Sequence, residues 1–228
     1  MEGQLYLSSP ELAFLQMHDH ASDFECIALG FELCGTYTRI GADAMAYDIA
    51  PATSADKISR FLHRAHGMRH RSRALRNLGH IKENSASPRE TQLAMILGLP
   101  TRLGGYGLAD FELNAPIDVP ATTKFPWRRD IRRADISWPR ECVAVEYDSD
   151  EFHVGAEKIA RDAERRTLLQ AAGYDLVVVT NSQFKRTSEL DRICAVLYRL
   201  LGRRWRCRMP EYLMRKEDLH RRVRNLSI

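Results

Sequence analysis

The stretch Ala134-Asp135-Ile136-Ser137-Trp138-Pro139, followed by Val143-Ala144-Val145-Glu146-Tyr147-Asp148, decides how this chain is read. Both segments alternate as short strands do, because successive side chains of a strand point to opposite faces. Ala134, Ile136 and Trp138 share one face, and Asp135 and Ser137 the other. In the second segment Val143, Val145 and Tyr147 share a face, and Ala144, Glu146 and Asp148 lie opposite. If the strands are neighbours, three carboxylates converge on one patch. Like charges that close raise one another's pKa, so such a patch is costly unless a cation sits in it. Carboxylate oxygens are the ligands of hard divalent cations, which points to Mg²⁺ or Mn²⁺ and to phosphodiester chemistry.

Outward from these strands, the order of elements predicts an α/β domain. Towards the N-terminus, Ser87 and Glu90 form a capping box with Pro88 at the first helical position, opening a helix that stops near Gly98 and Pro100. The stretch Leu103-Gly104-Gly105-Tyr106-Gly107-Leu108 lacks the Lys-Ser/Thr of a phosphate-cradling loop and reads as a hairpin or loop leading into the sheet. Towards the C-terminus, a helix is expected from Glu157 to Ala172, ended by Gly173. Tyr174 to Thr180 has the continuous β-branched character of a strand buried on both faces. Asn181 or Ser182 then caps a turn into one long final helix carrying Leu190, Ile193, Leu197 and Leu200. Strand, strand, helix, strand, helix implies a mixed β-sheet flanked by helices.

The region before residue 84 reads as mainly helical. Ser8-Ser9-Pro10-Glu11 is a cap-then-proline start, residues 28–35 form an apolar run ending at Gly35, and Ile58, Phe61, Leu62 and Ala65 recur at helical spacing. The expected division is a helical N-terminal region at 1–83, an α/β domain at 84–201 and a basic tail or helix at 202–228.

A chain of 228 residues with 44% apolar content can bury a core. It shows no signal peptide and no apolar run of membrane-spanning length, so no membrane contact and a soluble cytoplasmic protein are expected. The five cysteines are widely spaced without a C-x-x-C pair, which suits reduced thiols better than a disulfide framework or zinc site. The net charge of +4 is mild, but its distribution is uneven. Residues 60–76 hold six arginines, three histidines and no acid. Arg128, Arg129, Arg132 and Arg133 precede the first acidic strand, and Arg203, Arg204 and Arg206 begin a basic C-terminal segment. Arginine clusters of this kind suit phosphate contacts, with solvated helix faces as the alternative.

A capped helix with an early acid, the Asp135 strand, the Glu146-x-Asp148 strand, His153, a helix near Lys158 and a strand after Gly173-Tyr174 together resemble the restriction-endonuclease-like superfamily, marked by its PD-(D/E)xK motif. Within it the chain is most similar to the DUF559 group, related to the very-short-patch mismatch repair endonuclease. The run Asp162-Ala163-Glu164-Arg165 and Leu169 join the features already quoted, and the likeness covers residues 84 to 201.

The resemblance implies a divalent-metal-dependent nuclease acting on nucleic acid, most naturally DNA. It makes Asp135 and Glu146 the metal-binding carboxylates and Glu90 the helical acid that helps hold the metal or its water, although Glu90 also reads simply as the partner of Ser87 in the cap. Asp148 stands where the superfamily has lysine, and Ser149 where the family has glycine. Asp148 would then be a third metal ligand at the catalytic site, with His153 or Lys158 supplying the acid, base or cation. Loss of the lysine equally suits a catalytically inactive nuclease fold serving as a DNA-binding or regulatory module. Tyr6 to Leu12 resembles a helix start of some abortive-infection antitoxin-like proteins, which hints at a defence or toxin–antitoxin setting. A homodimer or a partner protein is compatible with either reading.

Overall fold

The computed structural model describes residues 7–41, 44–119, 130–148, 166–207 and 209–226, with only the backbone described at 130–132. These residues form two compact units, one running to Met95 and taking in Asn225, the other from Ile96 to Arg224. Among the described residues no helix is long and apolar enough to cross a membrane.

In the first unit the helix starts follow their caps. Ser9 caps α1 (Pro10–Met17), with proline at the start of the helix. Ser22 and Glu25 close a reciprocal capping box on α2 (Asp23–Leu33), and Ser54 caps α3 (Ala55–Arg64). Such side-chain oxygens satisfy amide groups that the first helical turn leaves unpaired. Between α2 and α3 lies a small antiparallel hairpin, β1 (Tyr37–Arg39) with β2 (Met45–Tyr47), which the reading of this region as helical did not contain. Phe14, Ile27, Phe31, Tyr37, Ile58, Leu62 and Leu93 are fully buried and make up the core of this unit.

The arginine-rich run of residues 60–76 forms the end of α3 and then α4 (Arg71–Leu78). Part of it is structural, contrary to its reading as a phosphate patch. Arg73 donates to Asp23 Oδ1 at 2.7 Å and to the carbonyls of His18 and Ala21 at 2.6 and 2.9 Å. Arg71 donates to the Leu62 carbonyl at 2.6 Å, and Arg60 pairs with Asp56 at 2.8 Å. A guanidinium with several donors in a fixed fork suits this tying together of loop ends.

The capping box opens α5 (Pro88–Gly98) as expected: the Glu90 amide donates to Ser87 Oγ at 3.2 Å. A single 3-10 turn (Thr101–Leu103) follows, and Gly104 then adopts φ +89° against the backbone of Arg215, where a Cβ would lie 2.3 Å from the Arg215 carbonyl oxygen. Only glycine allows both the positive φ and this approach.

The sheet of the second unit has strand order β3-β6-β7-β8, comprising β3 (Glu112–Leu113), β6 (Ile136–Trp138), β7 (Val143–Asp148) and β8 (Asp175–Thr180). β6 runs antiparallel to β3 and β7, whereas β7 and β8 are parallel, so the sheet is mixed. Parallel neighbours need a crossover connection, and a helix, α6, is described within it at 166–171. It ends at Gly173 (φ +84°), where the Tyr174 amide donates to the Leu169 carbonyl. β4 (Pro116–Val119) and β5 (Asp130–Arg133) form a separate antiparallel ribbon leading into β6.

Two expectations for the C-terminal half need correction. β8 is not buried on both faces: Leu176, Val177 and Val178 are only half-buried, because β8 ends the strand order of the described sheet. The long helix carrying Leu190, Ile193, Leu197 and Leu200 is present, but the turn that leads into it is built differently. Thr180, rather than Asn181 or Ser182, caps a short α7 (Asn181–Phe184) through a box with Gln183, and α8 (Thr187–Leu200) begins afresh. The basic C-terminal segment contains a further helix, α9 (Tyr212–Arg224), which buries Leu219, His220 and Val223.

Candidate functional site

The two acidic segments are neighbours in the sheet. β6 and β7 pair with Ile136 opposite Val145, Ser137 opposite Ala144 and Trp138 opposite Val143. Asp135 lies in a bend one residue before β6, beside the end of the ladder where Ile136 faces Val145. A hydrogen bond fixes the junction, since the Tyr147 amide donates to Asp135 Oδ2 at 2.7 Å. Within the strands, parity and register put Ser137, Ala144, Glu146 and Asp148 on one side of the sheet.

Burial along these strands explains where the polar groups fall. Ser137, Trp138, Val143, Ala144 and Val145 are all fully buried, so the middle of β6 and β7 is covered on both faces. On the Ala144 side the cover includes Leu169 of α6, which joins Ala134, Ile117 and the flanking Ala172 and Tyr174 in one apolar cluster. The cover thins towards the end of β7, where Glu146 is 8% exposed and Tyr147 and Asp148 are half-buried. The acids therefore lie at the carboxyl ends of the parallel pair β7 and β8, where open α/β sheets place their ligand crevices.

Asp148 has a partner that sequence reasoning missed. Arg166, three residues before Leu169 on α6, reaches Asp148 Oδ2 at 3.0 Å, with both side chains about two-fifths exposed. A guanidinium thus stands beside the position where the resemblance leads one to expect a lysine. Its only advance signal was the three-residue offset from the buried Leu169, which puts Arg166 on the sheet-facing side of its helix. Beyond Asp148, the Tyr147 hydroxyl donates to Asn181 Oδ1 at 3.0 Å and its ring meets Phe184 edge-on, tying the end of β7 to α7.

The other expected residues are distributed unevenly. Glu90 lies in the first unit, where its two carboxylate oxygens accept from Ser87 Oγ and the Ala86 amide, each at 2.9 Å. That geometry is a helix cap. His153, Lys158, Arg128 and Arg129 lie outside the described residues, as do Asp162 to Arg165, and of Arg132 only the backbone is described, paired with Ile117. Arg133 is exposed. Arg203 departs from the phosphate-binding expectation, because Asp110 takes it at 2.5 and 2.6 Å and Glu141 at 3.0 Å. The guanidinium in turn holds the Asp110 carboxyl below its ordinary range. Arg204 and Arg206 are exposed and form no ion pair among the described residues.

For the expected metal the fit is partial. Asp135 and Glu146 are the right kind of donor on neighbouring segments, but among the described residues no three His, Cys, Asp or Glu side chains group closely enough to hold an ion. Asp148 is engaged with Arg166, which makes it a poorer third ligand.

Comparison with known proteins places the chain beside relatives that are themselves uncharacterized. Over 71 residues, 31% of the chain, it is 35% identical to uncharacterized proteins from two strains of Mycobacterium tuberculosis, CDC 1551 / Oshkosh and ATCC 25618 / H37Rv. The match covers 26% of the length of those relatives. No family model and no solved structure matches the chain.

Proposed function

We propose that the chain is a divalent-metal-dependent nuclease of the restriction-endonuclease-like superfamily, near the DUF559 group, hydrolysing phosphodiester bonds in DNA. The observation that carries this reading is the 2.7 Å bond from the Tyr147 amide to Asp135 Oδ2, which holds Asp135 against the strand segment that carries Glu146. Two carboxylates at the open end of a sheet are what a hard cation requires from a protein. Asp135 and Glu146 would hold Mg²⁺ or Mn²⁺, which when bound supplies an activated water and charge neutralisation at the phosphate. The chain's own residues contribute the rest. The Tyr147 amide orients Asp135, the covered middle of β6 and β7 fixes both backbones, and Arg166 offers a cation beside the site where the superfamily has lysine. Arg204 and Arg206 remain exposed for phosphates.

Incubating the purified protein with plasmid and oligonucleotide DNA plus Mg²⁺ or Mn²⁺ should give cleavage that EDTA abolishes. Asp135→Asn and Glu146→Gln should each lower the rate by at least about a hundredfold, of the size seen when one transition-state-stabilising group is lost. Their circular dichroism should match that of the parent. Undiminished cleavage by either folded variant would contradict the assignment.

A second reading is favoured by the Asp148–Arg166 pair, which leaves two carboxylates where three were expected. On it, the fold is a catalytically inactive DNA-binding or regulatory module. Calorimetric titration with Mn²⁺ separates the two, since an Asp135- and Glu146-dependent heat belongs only to the nuclease.

A further inference from the structure

The second unit contains a cleft of about 740 Å³ that the acid pair does not touch. Its walls come from α8, the segment after it and α9, and four aromatic rings meet there. α8 ends at Gly202 (φ +64°), where the Arg203 amide donates to the Tyr198 carbonyl and the Gly202 amide to the Arg199 carbonyl. This doubly bonded, left-handed helix ending turns the chain back on itself. Trp205 is thereby laid against Tyr198, Tyr212 and Tyr106, with ring centroids 5.4, 5.1 and 6.1 Å away. Although packed on three rings, Trp205 keeps 40% of its surface open.

The charges around the cleft are not balanced. Its acid, Asp191, is already satisfied by Lys216 Nζ at 2.7 and 2.8 Å and by the Tyr106 hydroxyl at 2.7 Å. Arg203 is taken by Asp110 and Glu141. Arg199 and Arg204, which also line the cleft, are exposed and form no ion pair among the described residues. The Tyr212 hydroxyl is buried and has no hydrogen-bond partner among the described residues. A half-open indole on a platform of tyrosines, with two uncompensated guanidiniums at its edge, is complementary to a planar ring that carries a negative charge. An acidic peptide would satisfy the guanidiniums but leave the indole face unused. An apolar helix would use Trp205 and the exposed Leu213 but would leave both arginines without partners.

From this we infer that the cleft binds single-stranded nucleic acid, stacking an unpaired base on Trp205 while Arg199 and Arg204 take its flanking phosphates. Stacking of bases on aromatic side chains beside a basic groove is a general mode of single-strand binding and is tolerant of sequence. The inference rests on the nucleic-acid part of the proposed function but not on its metal chemistry.

The test uses the full chain carrying Asp135→Asn, in EDTA, so that cleavage plays no part. Titration with an oligothymidylate should quench the indole fluorescence, and labelled oligothymidylate should bind with a rise in anisotropy. Trp205→Ala should remove most of the quench and weaken binding about 5- to 50-fold, the loss of one base–aromatic stack. Arg199→Ala with Arg204→Ala should weaken binding further and flatten its dependence on salt by about 1.4 in log–log slope, at about 0.7 for each single-strand phosphate contact. Arg199→Gln with Arg204→Gln, which keeps the aliphatic stems, should flatten that slope to the same degree and guards against loss of packing. Equal affinity of Trp205→Ala and the parent for the oligonucleotide would overturn the proposal. So would equal quenching by thymidine monophosphate at the same nucleotide concentration, since a strand must engage both arginines. Binding that follows these rules in a protein that never cleaves DNA would uphold this cleft and remove the nuclease reading alone.

Discussion

At the residue scale, Arg166 and Asp148 illustrate how little a contact's presence says about its purpose. Their 3.0 Å pair is about two-fifths exposed on both sides, and pairs in such surroundings contribute between about 0 and 1 kcal/mol. Stability gives no reason for the guanidinium to sit at the end of β7. Arg166→Ala is therefore expected to move the unfolding midpoint by no more than a few degrees. If Arg166 serves the nuclease, the same change lowers cleavage about 10- to 100-fold, with Arg166→Lys recovering part of it. Rates and melting curves on the same preparations check both halves. The acids themselves were legible because alternation in residues 134–139 and 143–148 is a property of sequence alone. Arg166 was not, because it stands next to Arg165 in a charged run, and only the packing of Leu169 decides which arginine faces the sheet.

At the scale of elements, legibility followed the range of the deciding interaction. The starts of α1, α3 and α5 were readable because Ser9, Ser54 and Ser87 bond to amides three residues away. The state of β8 was not readable. Its Val177-Val178-Val179 run looks the same whether a strand has one neighbour or two, and in the sheet it has β7 alone among the described strands. The break between α7 and α8 was similarly hidden, since Gln183 competes for Thr180 only once the chain has turned there. Glu90 shows both ranges in one residue. Its carboxylate completes the α5 cap, so Glu90→Ala should cost about 1 kcal/mol in urea unfolding, within the range of capping losses. Glu90→Gln retains an oxygen that can accept and should lose less. A nuclease whose cleavage is unchanged by Glu90→Gln uses this acid for the helix only, whereas a large drop at unchanged stability adds a role at the phosphate.

At the scale of the whole molecule, buried histidines set how the fold responds to acid. In the first unit His18 is buried, with Nδ1 2.8 Å from the Phe14 carbonyl and Nε2 3.2 Å from the Asn77 amide nitrogen, the pattern of a neutral ring, and burial lowers its pKa. In the second unit His220 is fully buried under the Tyr106 ring, with Arg224, Lys216 and Asp191 as its charged neighbours. Burial is the main cause that brings its pKa from 6.5 down to about 4, and Arg224 and Lys216 add to it. An unfolded chain therefore binds protons between pH 6.5 and 4 that the folded chain refuses, so stability falls as the pH falls through that window. It is fully present above about pH 6.5, and for His220 the full displacement corresponds to a loss on the order of 3 kcal/mol. The lowered carboxylates Glu11, Asp23 and Asp110 act in the same direction but lose their contribution only near and below pH 4, through their own ordinary range. Between pH 7 and 5 the histidines dominate. Urea unfolding at pH 7.5, 6 and 5 should show a steady decline, and His220→Gln, which cannot take the proton, should flatten that decline even if it lowers stability at pH 7.5. An equal slope in parent and variant would mean that His220 titrates normally and is not sealed by the packing of α9.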